Sequence, residues 1–279
     1  MTWWCSASDL PWSWTWRPYP GAWLFVLTLV VSYVWANHRL MPARLAGDDQ
    51  AAGPRDWIRF GLGVLALWIG VDWPVGTLAA GYLLSARILQ YILFVLVGPP
   101  LILLGIPRWM LRRLIRARIP FRLARFLTRP LVPLLLFNAV MVVAHLPPVV
   151  DGPGRGPIGG FALDMLMIFS GFVFWWPALA RLPELKPMTY PGRIGYLLLS
   201  VFLPTVPASF FTFSTYPIYS LYELAPRVMG IETVADQRVA GLLMKLGGGF
   251  LLFGVMTVMF FRWHAQEGDG APSTHEVPT

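Results

Sequence analysis

Long apolar runs, each near the ~20 residues that carry one helix across a hydrocarbon layer, restrict the fold of this chain more than any other feature. They fall at Trp23 to Leu40, Ile58 to Trp73, Ile88 to Ile106, Leu131 to Leu146, Phe161 to Leu179, Ile194 to Phe213 and Val239 to Phe261. The expected fold is an all-α membrane protein, a bundle of seven transmembrane helices. Composition agrees, because 56% of the 279 residues are apolar and 13% charged, and mean hydropathy is +0.59. Such values exclude a chain folding around one water-soluble core. Between the second and third runs, Asp72, Trp73, Pro74 and Arg87 are too polar for lipid, so residues 74–87 are expected to form a loop or a short interfacial helix.

The ends are different in character. Residues 1–20 carry Trp3, Trp4, Trp12, Trp14 and Trp16 among prolines, a composition suited to lying in the exterior membrane interface. They lack the charged flank and small-residue cleavage site of a signal peptide. Residues 21–263 form the expected membrane domain, and residues 264–279, with His264 and His275, read as a disordered, solvated cytoplasmic tail.

Lys and Arg gather on the cytoplasmic side of membrane proteins, so their distribution orients the bundle. With the N-terminus outside and the C-terminus inside, 16 of the 22 fall in cytoplasmic segments and five outside, while Lys245 lies within the last span. The net charge of +8 therefore reports orientation, and nucleic acid is not an expected partner. The densest stretch, Arg108 to Arg129, reads RWMLRRLIRARIPFRLARFLTR. Apolar residues recur there at helical spacing, Pro120 is expected to break the helix, and the arginines suit anionic lipid. One cysteine, Cys5, excludes an internal disulfide and any CxxC site for zinc, an iron-sulfur cluster or haem attachment.

Ionisable groups at membrane depth are expensive and mark function. On this orientation Arg87, Gln90 and Tyr91 of the third run, His145 of the fourth, Asp164 and Met165 of the fifth, and Asp236, Gln237, Met244 and Lys245 around the start of the seventh share one outer-leaflet layer. His145, Met165 and Met244 could offer imidazole and thioether ligands to Cu(I). Plainer readings stand beside that one. His145 fits a helix-end residue bonded to free carbonyls, and the methionines fit packing. Asp164 and Lys245 fit an interhelical ion pair, which is the favoured reading, and the arginine could pair with Asp72, Asp164 or Asp236 instead. Asp236 and Gln237 fit an N-cap of the seventh helix.

Several strings read together. SARILQYILFVLVGPPLILLGIP from Ser85 to Pro107, His145-Leu146-Pro147, ALDMLMIFSGFVFWWPAL from Ala162, Tyr216-Pro217-Ile218-Tyr219 and DQRVAGLLM from Asp236 resemble, in order and spacing, the membrane-embedded cytochrome c oxidase assembly factors called CtaG. The resemblance covers residues 20–263. It implies a multi-pass protein of the bacterial plasma membrane that helps build haem-copper oxidases, is no enzyme, and contacts an oxidase subunit. It also implies a link to copper supply, and here the chain departs from the pattern. Where the family carries histidines this sequence has Arg87, Tyr91 and Met165, Lys245 replaces a tryptophan, and His145 alone remains. Fixed positive charge repels Cu(I) in a medium of low dielectric. Two versions follow: copper handling through His145, Met165 and Met244, or a copper-independent scaffold. The competing class is a small-molecule or ion transporter with an outer-leaflet polar site. Against it, no inverted repeat of interrupted helices is visible. A retinal-type receptor would need its lysine nearer the centre of the last span, and an intramembrane enzyme would need a nucleophile with a base.

Overall fold

The computed structural model describes residues 2–41, 50–116, 118–179, 181–202 and 204–268, whose regular elements are all helices with no strand among them. The principal helices are α1 (Pro20–Leu40), α2 (Pro54–Val71), α3 (Val75–Gly81), α4 (Leu84–Gly105), α5 (Arg108–Leu114), α6 (Arg118–Phe126), α7 (Leu131–Ala144), α8 (Pro157–Leu179), α9 (Tyr190–Phe213) and α10 (Thr233–Glu267). Among the described residues α1, α4, α8, α9 and α10 are each long and apolar enough to cross a membrane, and two bent pairs bring the number up to seven. These pairs are α2 with α3, bent by 44°, and the 120–126 part of α6 with α7, bent by 85°.

Helix α4 is the axis of the bundle. It packs closely on α2 because glycines let the backbones meet: a Cβ at Gly63 would lie 2.9 Å from the Gly98 carbonyl, and one at Gly105 would lie 2.6 Å from the Phe60 nitrogen. Pro99 lacks the N–H that would bond the Val95 carbonyl four residues back. The indole of Trp175 on α8 donates to that carbonyl at 2.8 Å instead, within a π-helical stretch over Ile92–Val97. Side chains from other helices close several further helix ends, as lipid could not. Tyr33 donates to the Gly105 carbonyl at 2.9 Å, Tyr222 to Ala79 at 2.8 Å, and Arg113 to Leu40 at 2.9 Å. Arg181 donates to the Leu103 carbonyl at 2.9 Å and to Leu104, which puts a cation on the C-terminus of α4 where the helix dipole favours it.

Three sequence expectations need correcting. The N-terminal segment does not simply lie flat, because Trp4 and Cys5 are buried among the helices. Trp4 meets the Phe161 and Phe25 rings edge-on, and its N–H finds an acceptor inside. Pro120 does not break the arginine-rich stretch. It sits in the first turn of α6, where a missing N–H costs nothing, and the break falls before Arg118. Helix α10 runs past Phe261 and includes exposed His264, held by Trp263 donating to Glu267 at 3.0 Å and by Phe260 stacking on His264. The rest of the expected tail, residues 269–279 with His275, lies outside the described residues. Between the second and third runs the chain forms the short helix α3, one of the two forms expected there, with Thr77 and Ala79 buried.

Candidate functional site

The polar residues converge at the end of the bundle where α4 begins. Asp164 of α8 is buried, with both carboxylate oxygens engaged. Oδ1 accepts from the Arg87 guanidinium at 2.7 Å, and Oδ2 accepts from the Trp4 indole at 2.9 Å. Arg87, in the first turn of α4, also donates to the Gln90 side-chain oxygen. The Gln90 amide then donates to the Gly70 carbonyl of α2 at 2.8 Å. Pro74, four residues beyond Gly70, has no N–H to give that carbonyl, so Gln90 fills a vacancy the sequence creates. One chain of bonds thus ties the N-terminal segment, α8, α4 and α2. The bond from Arg87 to Asp164 joins fixed opposite charges out of water.

Asp236 extends the layer from α10. It does not cap its own helix, as sequence spacing suggests, because α10 starts three residues earlier with Glu232 in the cap position. Its carboxylate instead accepts the backbone N–H of Leu84 at 2.6 Å, that of Ser85 at 3.3 Å, and the Ser85 hydroxyl. It caps α4 from a neighbouring helix, at the end where the dipole favours an anion. Gln237 beside it accepts from Ile218 N–H at 2.9 Å and donates to the Tyr216 carbonyl at 3.2 Å, holding the 216–218 turn.

His145 follows the end of α7, with Nδ1 2.8 Å from the Met141 carbonyl, the helix-end arrangement. Its own carbonyl accepts from the Tyr219 hydroxyl at 2.7 Å, and its ring meets Tyr91 edge-on at 5.6 Å. Met244 is buried and lines a cleft with Tyr91, whereas Met165 packs half-buried against the core. The expected pair of Asp164 with Lys245 does not form. Arg87 reaches Asp164 from the adjacent helix α4, and Lys245 faces the bundle surface with no acidic partner among the described residues. Asp72 takes the Trp68 indole at 2.9 Å and pairs with no cation among the described residues.

Among the described residues no three His, Cys, Asp or Glu side chains group as metal ligands. His145 faces the rings of Tyr91 and Phe211, and the guanidinium of Arg87 stands in the same layer. Cys5 donates to the Val71 carbonyl at 3.3 Å, and burial pushes its thiol pKa up, so it offers no thiolate.

The family model for the cytochrome c oxidase caa3 assembly factor matches residues 31–266. The chain belongs to this family. No curated protein and no solved structure matches it. The matched range takes in Arg87, Gln90, His145, Asp164 and Asp236, while Trp4, which donates to Asp164, lies outside it. Sequence reasoning missed Trp4, Ser85 and Tyr219. Ser85 opens the SAR string at the start of α4, a position that invites capping. Nothing in their spacing sets Trp4 apart from the other N-terminal tryptophans, or Tyr219 from its neighbouring tyrosines. Asp151 was also missed, although it accepts the N–H groups of Ser220 at 3.1 Å and Leu221 at 2.8 Å and so ties two connecting loops at this end.

Proposed function

We propose that this protein, a non-catalytic member of its family, assists assembly of a haem-copper oxidase as a scaffold in the bacterial plasma membrane. In this reading it spans the bilayer seven times, with its N-terminus and polar layer on the exterior side. The observation that carries the scaffold version is the Arg87–Asp164 contact at 2.7 Å. It puts a permanent cation, already neutralised by its partner, where the resemblance would place an imidazole. A pair of that kind holds helices together without an ion and leaves at that position a guanidinium, which has no lone pair to offer Cu(I). The same pairing weakens the transporter reading, because Arg87, Asp164 and Asp236 are spent on one another and on a helix end.

Deleting the gene is expected to lower assembled haem-copper oxidase, read from membrane haem spectra and oxidase activity, while the catalytic subunit transcript stays constant. Added copper should not restore it. Restoration by copper, together with stoichiometric Cu(I) that survives dialysis in the wild type and vanishes in His145→Ala, would reject the scaffold version. Normal oxidase in the deletion strain, with no second family member present, would reject the assembly role.

A further inference from the structure

A polar cavity of about 420 Å³ opens at the end of the bundle where α4 stops, lined by Gln50, Ala51, Asp56, Pro107, Arg108 and Arg181. Its volume falls in the range of small-ligand sites, roughly 300 to 1,000 Å³. Three helix ends meet there: Asp56 lies in the first turn of α2, Arg108 opens α5 directly after α4, and Arg181 follows α8. Arg181 spends one nitrogen on the Leu103 and Leu104 carbonyls, while its Nε is buried with no partner among the described residues. Burial pushes its pKa down; Asp56 opposes that shift, and Arg59 and Arg108 add to it. Arg108 is exposed and has no partner among the described residues. Asp56, the one carboxylate among the described residues that line the cavity, is taken by the Gly53 N–H at 3.1 Å and by Arg59 at 3.9 Å.

Three guanidiniums therefore stand with one carboxylate that is already engaged, and the complement of the cavity is an anion with several acceptor oxygens. A phosphate group has that form. Two features favour a phosphate carried by a lipid over one free in water. Helices α4 and α8, each long and apolar enough to cross a membrane, end here, which puts the cavity at headgroup level, where basic pockets between spans receive anionic lipid. From Asp56 onward α2 leaves Trp57, Ile58 and Leu62 exposed, an apolar surface for acyl chains. No lining carboxylate is left for the ammonium of a zwitterionic headgroup. We infer that the cavity holds the phosphate of an anionic phospholipid between Arg108 and Arg181. Of these two only Arg108 belongs to the arginine-rich stretch, so the site is distinct from the general field of that stretch, and it is independent of the assembly reading.

The test uses the full chain purified in a nonionic detergent, with phosphatidylglycerol, phosphatidylcholine or inorganic phosphate added and bound lipid followed by native mass spectrometry. Arg181 also holds the end of α4, so its loss would disturb the fold. Arg108 holds nothing else among the described residues and carries the test as Arg108→Gln. Arg122→Gln, at another exposed arginine of the same stretch that does not line the cavity, removes the same charge as a control. The wild type is expected to retain phosphatidylglycerol in preference to phosphatidylcholine. Arg108→Gln should weaken that binding about tenfold or more, the scale of one lost hydrogen bond between charged groups, and Arg122→Gln should leave it unchanged. Equal retention of both lipids, unchanged binding in Arg108→Gln, or an equal loss in Arg122→Gln would overturn the inference. Displacement of the lipid by inorganic phosphate at the same concentration would also overturn it, by giving the cavity to a soluble anion. None of these outcomes bears on the assembly role, which the deletion phenotype tests separately.

Discussion

A guanidinium buried beside a carboxylate adds little over an apolar pair of the same volume, yet either charge left alone is expensive. Arg87 and Asp164 are in that position, their side chains 13% and 4% exposed. Arg87→Met is expected to lower stability by about 3 to 5 kcal/mol, by analogy with buried pairs in soluble proteins, and Asp164→Leu by a similar amount. The double variant should recover most of the loss. Denaturant titration of the full chain in mixed micelles reads this, and a double variant no more stable than its parents would show that the two residues do not act as a pair. Lys245→Met should leave the same midpoint unchanged, since no described residue pairs with that ammonium. Cys5 supplies an independent reporter. It follows Trp4, whose indole is anchored on Asp164, and is buried with it, so Asp164→Leu should also make this one thiol reactive to maleimide.

Elements of this bundle are closed at their ends by residues from elsewhere in the chain, and the cap on α4 is the clearest case. Asp236→Ala removes the acceptor for Leu84 and Ser85 N–H, which should cost about 1 to 2 kcal/mol. Amide exchange should quicken in the first turn of α4 and stay slow near Val95, where Trp175 still supplies a donor. Uniform loss of protection along α4 would mean that Asp236 supports the whole bundle and not one helix end. The same residue shows what a sequence conceals. The apolar runs located the main helices because twenty consecutive apolar residues have few other uses. Their starts were misplaced, α4 beginning at Leu84 and α10 at Thr233, because polar first turns count against a run while lying inside the helix. That Arg87, Asp164 and Asp236 belong to one layer was legible from depth alone. Their partners were not, because depth orders residues along the membrane normal and says nothing of which helices stand side by side. For that reason Lys245, at nearly the right depth, was matched to Asp164, although Arg87 on adjacent α4 is the residue that reaches it.

Across the whole molecule, side-chain bonds divide the connecting segments into two ends. At one, Arg113 reaches the Leu40 carbonyl, Arg112 pairs with Glu184 at 2.9 Å, and Trp176 donates to Ala124 at 3.1 Å. At the other, Asp151 holds Ser220 and Leu221 while Arg155 donates to the Ser220 hydroxyl at 2.9 Å. This partition agrees with the arginine count: Arg39 and the stretch from Arg108 to Arg129 belong to the first end, and Arg87, Arg155 and Arg227 to the second. In the proposed orientation, which rests on the positive-inside bias, the first end faces the cytoplasm. Reporter fusions at Asp151 and Glu223 should report the exterior, and fusions at Arg118 and after His264 the cytoplasm. Two failures are possible, and they differ. Asp151 and Glu223 on opposite sides would contradict the bonds between their segments and hence the fold. All four reporters inverted would leave the fold intact and turn the Arg87–Asp164 layer toward the cytoplasm. The exterior placement of the scaffold would then be wrong.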